Sequence, residues 1–324
     1  MTAPELVEST GDRRCDRIVR GVVGIFENAF PERIRGFYLR GSHASGTSTD
    51  GSDLDLYVVF KDHFADVPEY DRARALTVHC AQLTPVLLEI VVSGERGFRR
   101  PEAFSAALDL KLGTRLLHGE DIRAELPAFD ADAYVRSVVH TPYYSYSFPA
   151  QRHDAGPLVH PLRHLDPDGP FFGFDQWMMP GPDGVDQPST KLLIATVGWT
   201  ATAIIALSGG QYVRDKAACV ELYQKHVADE WTELVVQVHD LCRNRWHYGL
   251  PSDPADRRTL RALCGRTLDF QNHYLTVYRR YQLTELASGD SERQRLAAER
   301  CKQIVFSDQE MVDALRKVGD PASG

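Results

Sequence analysis

Gly41-Ser42-His43-Ala44-Ser45-Gly46-Thr47-Ser48-Thr49-Asp50-Gly51-Ser52-Asp53-Leu54-Asp55-Leu56 is the stretch on which the fold turns. Asp53 and Asp55 open an apolar, β-branched run, Leu54 to Phe60, that reads as a strand. Side chains alternate along a strand, so both carboxylates share one face while Leu54 and Leu56 take the other, towards a core. Two carboxylates side by side repel unless a cation lies between them. Magnesium suits such a pair, because it takes one or two carboxylates and completes its shell with substrate phosphates. Just upstream, Arg35 to Leu39 reads as a short strand with Phe37 and Leu39 on one face, and Gly41-Ser42 then turns sharply. A turn of that kind exposes backbone N–H groups able to hold an anion such as a triphosphate, and the Ser42 hydroxyl adds a donor.

A third acid follows in Leu87-Leu88-Glu89-Ile90-Val91-Val92. Glu89 is a lone charge in an apolar strand, and burying it without a metal or another partner would be costly. Asp53, Asp55 and Glu89 together make a three-carboxylate site for two magnesium ions, one activating an acceptor hydroxyl and one travelling with the triphosphate. Within hydrogen-bond reach, Glu89 would also accept the hydroxyl proton.

Outward from this core, Cys15 to Phe30 has apolar residues at helical spacing (Ile18, Val22, Ile25, Phe26, Phe30), and Glu69 to Leu83 reads as a second helix. Gly41 to Gly51 is a turn with at most a short helix. Val86 to Val92 is a strand, Pro101 to Leu112 a helix with proline in its first turn, Thr114 to Gly119 a last strand, and Asp130 to Val139 a short helix. Helices alternating with strands predict an α/β domain around a small mixed sheet, residues 1–139. Residues 140–188 are rich in Pro, Gly, His and aromatic residues without a period, which marks an irregular inter-domain segment or lid. From 189 to 324 the pattern is helical, near 189–208, 214–228, 230–247, 255–283 and 290–317, and predicts an all-α bundle domain.

The order Gly-Ser, nine residues, Ser-Asp-x-Asp, then an acid on a later strand resembles the DNA polymerase β-like nucleotidyltransferase superfamily over residues 34–92. The resemblance implies that Asp53 and Asp55 bind both metals, that Glu89 binds the catalytic one, and that Gly41, Ser42 and Ser52 serve the nucleotide. Gly210-Gln211-Tyr212-Val213-Arg214-Asp215-Lys216-Ala217-Ala218, ahead of a helical stretch with Trp231, is similar to the C-terminal helical domain of aminoglycoside adenylyltransferases acting on streptomycin and spectinomycin. That similarity implies a triphosphate contact from Lys216, with Arg214 as a second candidate. Lys216 reads equally well as a solvated helix residue. Cys242-Arg243-Asn244-Arg245-Trp246-His247-Tyr248 has a similar style without a matching alignment, and 140–188 is longer and richer in Pro and His than the family leads one to expect.

Composition sets the remaining bounds. The 324 residues are 43% hydrophobic and 25% charged, with a formal net charge of -8. This is the profile of a globular chain that repels nucleic acid on average and favours a cationic small molecule. Six scattered cysteines without a C-x-x-C pair argue against a zinc ribbon or a disulfide framework and suit the cytoplasm. Met1 to Arg14 is polar, so no secretory leader is expected. Leu192 to Leu207, interrupted by threonines, falls short of the ~20 apolar residues of a membrane span and reads as a buried core helix.

Several residues carry a bland and a sharp reading side by side. His43 touches phosphate or faces solvent. His153, His160 and His164 are loop histidines lacking helical ligand spacing. Asp166, Asp168, Asp175, Asp183 and Asp186 are solvated loop acids or, as a group, an acidic wall for an amine-rich acceptor with Trp177 stacking on a ring. Arg243, Arg245, Arg257, Arg258, Arg261 and Arg266 are a solvated helix face or a basic face for RNA. The sequence as a whole predicts magnesium-dependent transfer of AMP from ATP to a hydroxyl of an aminoglycoside-like antibiotic or a biosynthetic intermediate. The alternative is nucleotidylation of a protein or a tRNA.

Overall fold

The computed structural model describes residues 4–49, 51–100, 103–148, 156–181 and 184–319. The chain forms two compact units: Met1–Ser137 with Met178–Gln187 and Gly210–Leu222, and Val138–Trp177 with Pro188–Gly209 and Tyr223–Gly324.

In the first unit, helix α1 (Arg13–Ala29) starts at Asp12, whose side chain accepts from the N–H groups of Arg14 and Cys15. Its buried stripe, Cys15, Val19, Val22, Val23 and Phe26, recurs at helical spacing. Strand β1 (Ile34–Arg40) runs straight into a one-turn helix α2 (Gly41–Ser45), and β2 (Leu54–Phe60) follows. Helix α3 (Val67–Gln82) begins with Asp66 accepting from Glu69 N–H and with proline in the first turn, both strong start signals. Strand β3 (Leu88–Gly94), helix α4 (Phe104–Gly113), strand β4 (Arg115–Gly119) and helix α5 (Ala131–Val138) complete the α/β core. Pro101 lies outside the described residues.

The sheet order is β3-β2-β1-β4. β1 pairs antiparallel with β2 and β4, and β2 pairs parallel with β3, so the sheet is mixed. Alternation along β2 divides the core. Leu54, Leu56, Val58 and Phe60 join Phe37, Leu39, Leu88 and Ile90 under the buried stripe of α1. On the other face Tyr38, Tyr57 and Val59 pack with Ala107 and Leu110 of α4 and with Phe98. The acids at the start of β2 and β3 therefore emerge on the α4 face.

The second unit is mostly helical. Its described helices are α6 (Pro142–Tyr146), α7 (Lys191–Gly209), α9 (Thr232–Gln237) continued by a π-helical stretch (Val238–Arg245), α10 (Pro254–Leu286), α11 (Ser291–Gln303) and α12 (Gln309–Gly319). Helix α8 (Lys216–His226) starts in the first unit and ends in the second. By length and composition α7 could cross a bilayer, but 61% of its apolar window is buried in the protein, as expected of a core helix.

One expected helix is broken. In place of a single helix over 290–317, α11 and α12 flank a strand β8 (Ile304–Phe306), which pairs in parallel with β5 (Leu158–His160). Ile304-Val305-Phe306 is a β-branched and aromatic run, and Asp308 starts the next helix by accepting from Met311 N–H at 3.0 Å. A second two-stranded ladder joins β6 (Met178–Pro180) and β7 (Asp186–Pro188).

Candidate active site

Asp55 sits in β2 directly opposite Arg40 of β1 on one side and Glu89 of β3 on the other. The antiparallel ladder fixes the first pairing and the parallel ladder the second, so three adjacent strands contribute Arg40, Asp55 and Glu89 at one level of the α4 face. Asp53 lies in the turn just ahead, within the electrostatic field of Asp55.

The turn is built around Asp55. Gly41 has φ +64°, and a Cβ there would fall on the Asp55 Oδ2. Only glycine combines the left-handed backbone with that close approach. Ser42 lies in the one turn of α2, and its carbonyl accepts from the N–H of Thr47 at 2.9 Å. Ser52 is buried, and its hydroxyl accepts from the Thr49 N–H at 2.8 Å. Its side chain thus closes the turn that presents Asp53. His43 lies near Asp53 and Asp12, and burial lowers its pKa below the usual imidazole value against their pull.

Burial pushes the Asp55 carboxyl up to about 7, and Asp53 and Glu89 add to the rise, while Arg40 and Lys216 pull it down. A carboxylate so destabilised gains most from a cation. Glu89, contrary to the expectation of a buried charge, is exposed, because β3 is an edge strand of the sheet. Among the described residues no three His, Cys, Asp or Glu side chains gather into a group that could by itself hold a metal ion. Magnesium does not need one, since it keeps open positions for water and phosphate. The missing Cβ of Gly41 makes room for the Asp55 Oδ2, and Asp53 and Glu89 lie beside Asp55, a set of donors of the kind magnesium takes.

Lys216, at the start of α8, reaches the field of Asp55. Arg214 turns instead to Asp215, Nε to Oδ2 3.0 Å, and Asp215 also accepts from Ala218 N–H at 2.9 Å to start α8.

Three functional candidates escaped the sequence reading. Arg40 lies with its guanidinium 4.8 Å from the Tyr57 ring centroid and its Nε 3.3 Å from Asp109 Oδ2. The Tyr57 hydroxyl donates to the same Asp109 Oδ2 at 3.0 Å. Burial alone would lower the Arg40 pKa, but Tyr57, Asp109, Asp55 and Glu89 outweigh it and hold the group above its ordinary value. The signal for Arg40 was present in its position next to Gly41. Asp109 is a lone acid between Leu108 and Leu110, and no sequence pattern ties it to Arg40 or Tyr57.

The other sequence candidates are engaged elsewhere. His164 stacks on Phe172 at 4.1 Å and His160 lies 5.4 Å from Phe306, ring centre to ring centre, while His153 lies outside the described residues. Trp177 stacks on Phe148 at 5.1 Å. Asp166 accepts from Gly169 N–H at 3.0 Å and so shapes its own loop. Asp186 belongs to the first unit, Asp166, Asp168 and Asp175 belong to the second, and Asp183 lies outside the described residues. In the second unit, Arg261 donates to the carbonyls of Gly169 and Pro170 and covers Phe172, Arg257 covers Phe171, and Arg243 donates to the Tyr248 hydroxyl.

Residues 19–102 match the family model of the nucleotidyltransferase domain. No curated protein matches the chain. Among solved structures, spectinomycin adenyltransferase AAD(9) from Enterococcus faecialis, with ATP and spectinomycin, is similar at 10% identity and a TM-score of 0.49, over 78% of this chain and 98% of that one. A likeness of that depth assigns neither donor nor acceptor.

Proposed function

We propose, with the nucleotidyltransferase domain at residues 19–102 as the premise, that the chain transfers AMP from ATP to a hydroxyl of a small molecule and releases pyrophosphate. The observation that carries this reading is the level pairing of Asp55 with Glu89 on adjacent strands, beside a glycine turn whose missing Cβ makes room for the Asp55 carboxylate. Asp53, Asp55 and Glu89 would hold magnesium, which supplies positive charge to the α-phosphate oxygens when bound. The N–H groups of Gly41 and Ser42, with the Ser42 hydroxyl, hold the triphosphate. Lys216 adds charge to it from α8, with Arg214 as a second contact once it leaves Asp215. Ser52 keeps Asp53 in place. The acceptor oxygen attacks the α-phosphorus in line, the bond to the β-phosphate oxygen breaks, and the hydroxyl proton passes to Glu89.

The acceptor class rests on the likeness of Gly210–Ala218 to aminoglycoside adenylyltransferases and on a net charge of -8, which favours an amine-rich partner. All six cysteines are buried thiols, which suits a reducing compartment such as the cytoplasm. The test is incubation with ATP, magnesium and a panel of aminocyclitols, following pyrophosphate and the mass of each acceptor. An AMP adduct on a hydroxyl supports the reading. Label from radioactive ATP on a protein or tRNA band, with none on small molecules, would replace it with macromolecular nucleotidylation.

A further inference from the structure

Leu158 to Phe174 is irregular for most of its length, yet it is fixed to its own unit at several points. β5 pairs with β8 at its start. The Leu162 N–H donates to Asn272 Oδ1 of α10 at 2.7 Å, and the Asn272 amide donates back to the Leu162 carbonyl at 3.2 Å. His164 stacks on Phe172, and the Arg261 guanidinium of α10 lies 4.0 Å from the centre of the same ring. Held in this way, the segment borders a cavity of about 100 Å³ against Tyr146 of α6 and Leu268 and Gln271 of α10. Leu162, Phe174, Leu268 and the Tyr146 ring make apolar walls. An apolar cavity of ~150 Å³ admits benzene, so the space suits one small ring. Arg163 and Leu165, both exposed, stand at its opening. The whole lining belongs to the second unit, whereas Asp53, Asp55, Glu89 and Lys216 belong to the first.

The polar groups of the lining narrow what that ring can carry. The Tyr146 hydroxyl meets Thr200 Oγ1 at 2.7 Å, so only its ring is offered to the cavity. Gln271 is 6% exposed, and its side-chain amide bonds to none of the described residues. His164, in the same wall, also has its Nδ1 buried without a hydrogen-bond partner. A buried carboxamide without partners is destabilising, and a ligand that pairs with it removes the penalty. A carboxamide presents a donor beside an acceptor. Its complement is the same pair reversed, which is the edge of another amide. Asn272, the next residue, already makes such a donor–acceptor pairing with Leu162. Arg163, the charged side chain of the lining, is exposed, so a molecule inside meets no buried charge and is best neutral.

We propose that this cavity binds a small neutral molecule built on one ring with an amide edge, a lactam or a ring carboxamide, whose N–H and C=O pair with the Gln271 amide. The ring lies against the apolar walls, and any substituent leaves past Arg163 and Leu165. The pairs from Asn272 and Arg261 hold the wall in place before the ligand arrives, which lowers the ordering cost of binding. The site is independent of the nucleotidyl-transfer reading, whose residues lie in the other unit.

The test uses two rings of equal size. The full chain is titrated calorimetrically with δ-valerolactam, which has the amide edge, and with cyclohexanone, which keeps the carbonyl but has a methylene in place of the N–H. The wild type should bind the lactam with a Kd of about 1 mM or tighter. Cyclohexanone, although the more apolar of the two, should bind at least about tenfold more weakly. Gln271→Leu, similar in size, should lose the lactam by at least about tenfold with circular dichroism and unfolding midpoint retained. No lactam binding by the folded wild type overturns the inference and leaves the cavity to water. Equal binding of cyclohexanone, or undiminished lactam binding by Gln271→Leu, overturns it as well. If Gln271→Leu does not fold, Leu165→Trp at the exposed opening replaces it and should block the lactam, and undiminished binding there also overturns the inference.

Discussion

At Gly41 a single methyl group decides the geometry of the site. Its φ of +64° and the Asp55 Oδ2 in the place of a Cβ set two independent demands for glycine. Gly41→Ala should cost about 1–2 kcal/mol for the left-handed backbone and move the Asp55 carboxylate. A displacement of ~1 Å is worth about 100-fold in rate. We expect pyrophosphate release to fall by about that factor while far-ultraviolet circular dichroism is retained. Unchanged activity would show that the turn and the carboxylate are not coupled. Alternation along one strand was enough to place Asp53, Asp55 and the opposite-facing Leu54 and Leu56 from the sequence. Arg40, Tyr57 and Asp109 were not legible, because their meeting depends on the register between β1 and β2 and on a helix 52 residues beyond Tyr57.

At the scale of elements, start signals and periodicity carried α1, α3 and the strands of the sheet. They failed at 290–317, where the helical pattern on either side hid the strand Ile304–Phe306. Pairing with β5, a partner far away in the chain, decides that segment, and its local signal is a β-branched and aromatic run of only three residues. Ile304 is 2% exposed, so Ile304→Ala should destabilise the fold by roughly 3 kcal/mol through a cavity in the core. A urea titration measures the loss as a lowered midpoint, and an unchanged midpoint would show that the Ile304 side chain is not packed in the core.

At the scale of the molecule, the sequence gives contiguous stretches, whereas the first unit also takes Met178–Gln187 and Gly210–Leu222. The second of these is tied down by contacts that a linear reading does not contain: Tyr212 packs edge-on against Tyr134 at 5.7 Å, and Val213 N–H donates to the Tyr134 hydroxyl at 3.3 Å. The same segment leads into α8, where Lys216 lies within the electrostatic reach of Asp55. The second unit carries a pH dependence of its own. His140 is buried between the Tyr278 hydroxyl at 2.7 Å and the Gln303 Oε1 at 2.9 Å, beside the Tyr143 ring and Arg300. Burial lowers its pKa from 6.5 to about 4, the Gln303 hydrogen bond opposing and Arg300 adding to the shift. The unfolded chain then binds the extra proton first, so stability present above pH 6.5 is lost as the pH falls towards 4. The loss is bounded at about 3 kcal/mol. His140→Gln should flatten the stability profile between those limits, and a profile that keeps its slope would assign the dependence to other groups.

The central claim is that the carboxylates on the α4 face of the sheet carry nucleotidyl transfer. Its most direct test is pyrophosphate release from ATP and magnesium by the wild type and Asp55→Asn side by side, with unfolding midpoints measured on both. The account predicts turnover by the wild type and a loss of about 1000-fold in the variant, with the fold intact. Equal turnover by the two proteins, or none by a folded wild type with any acceptor, would contradict it.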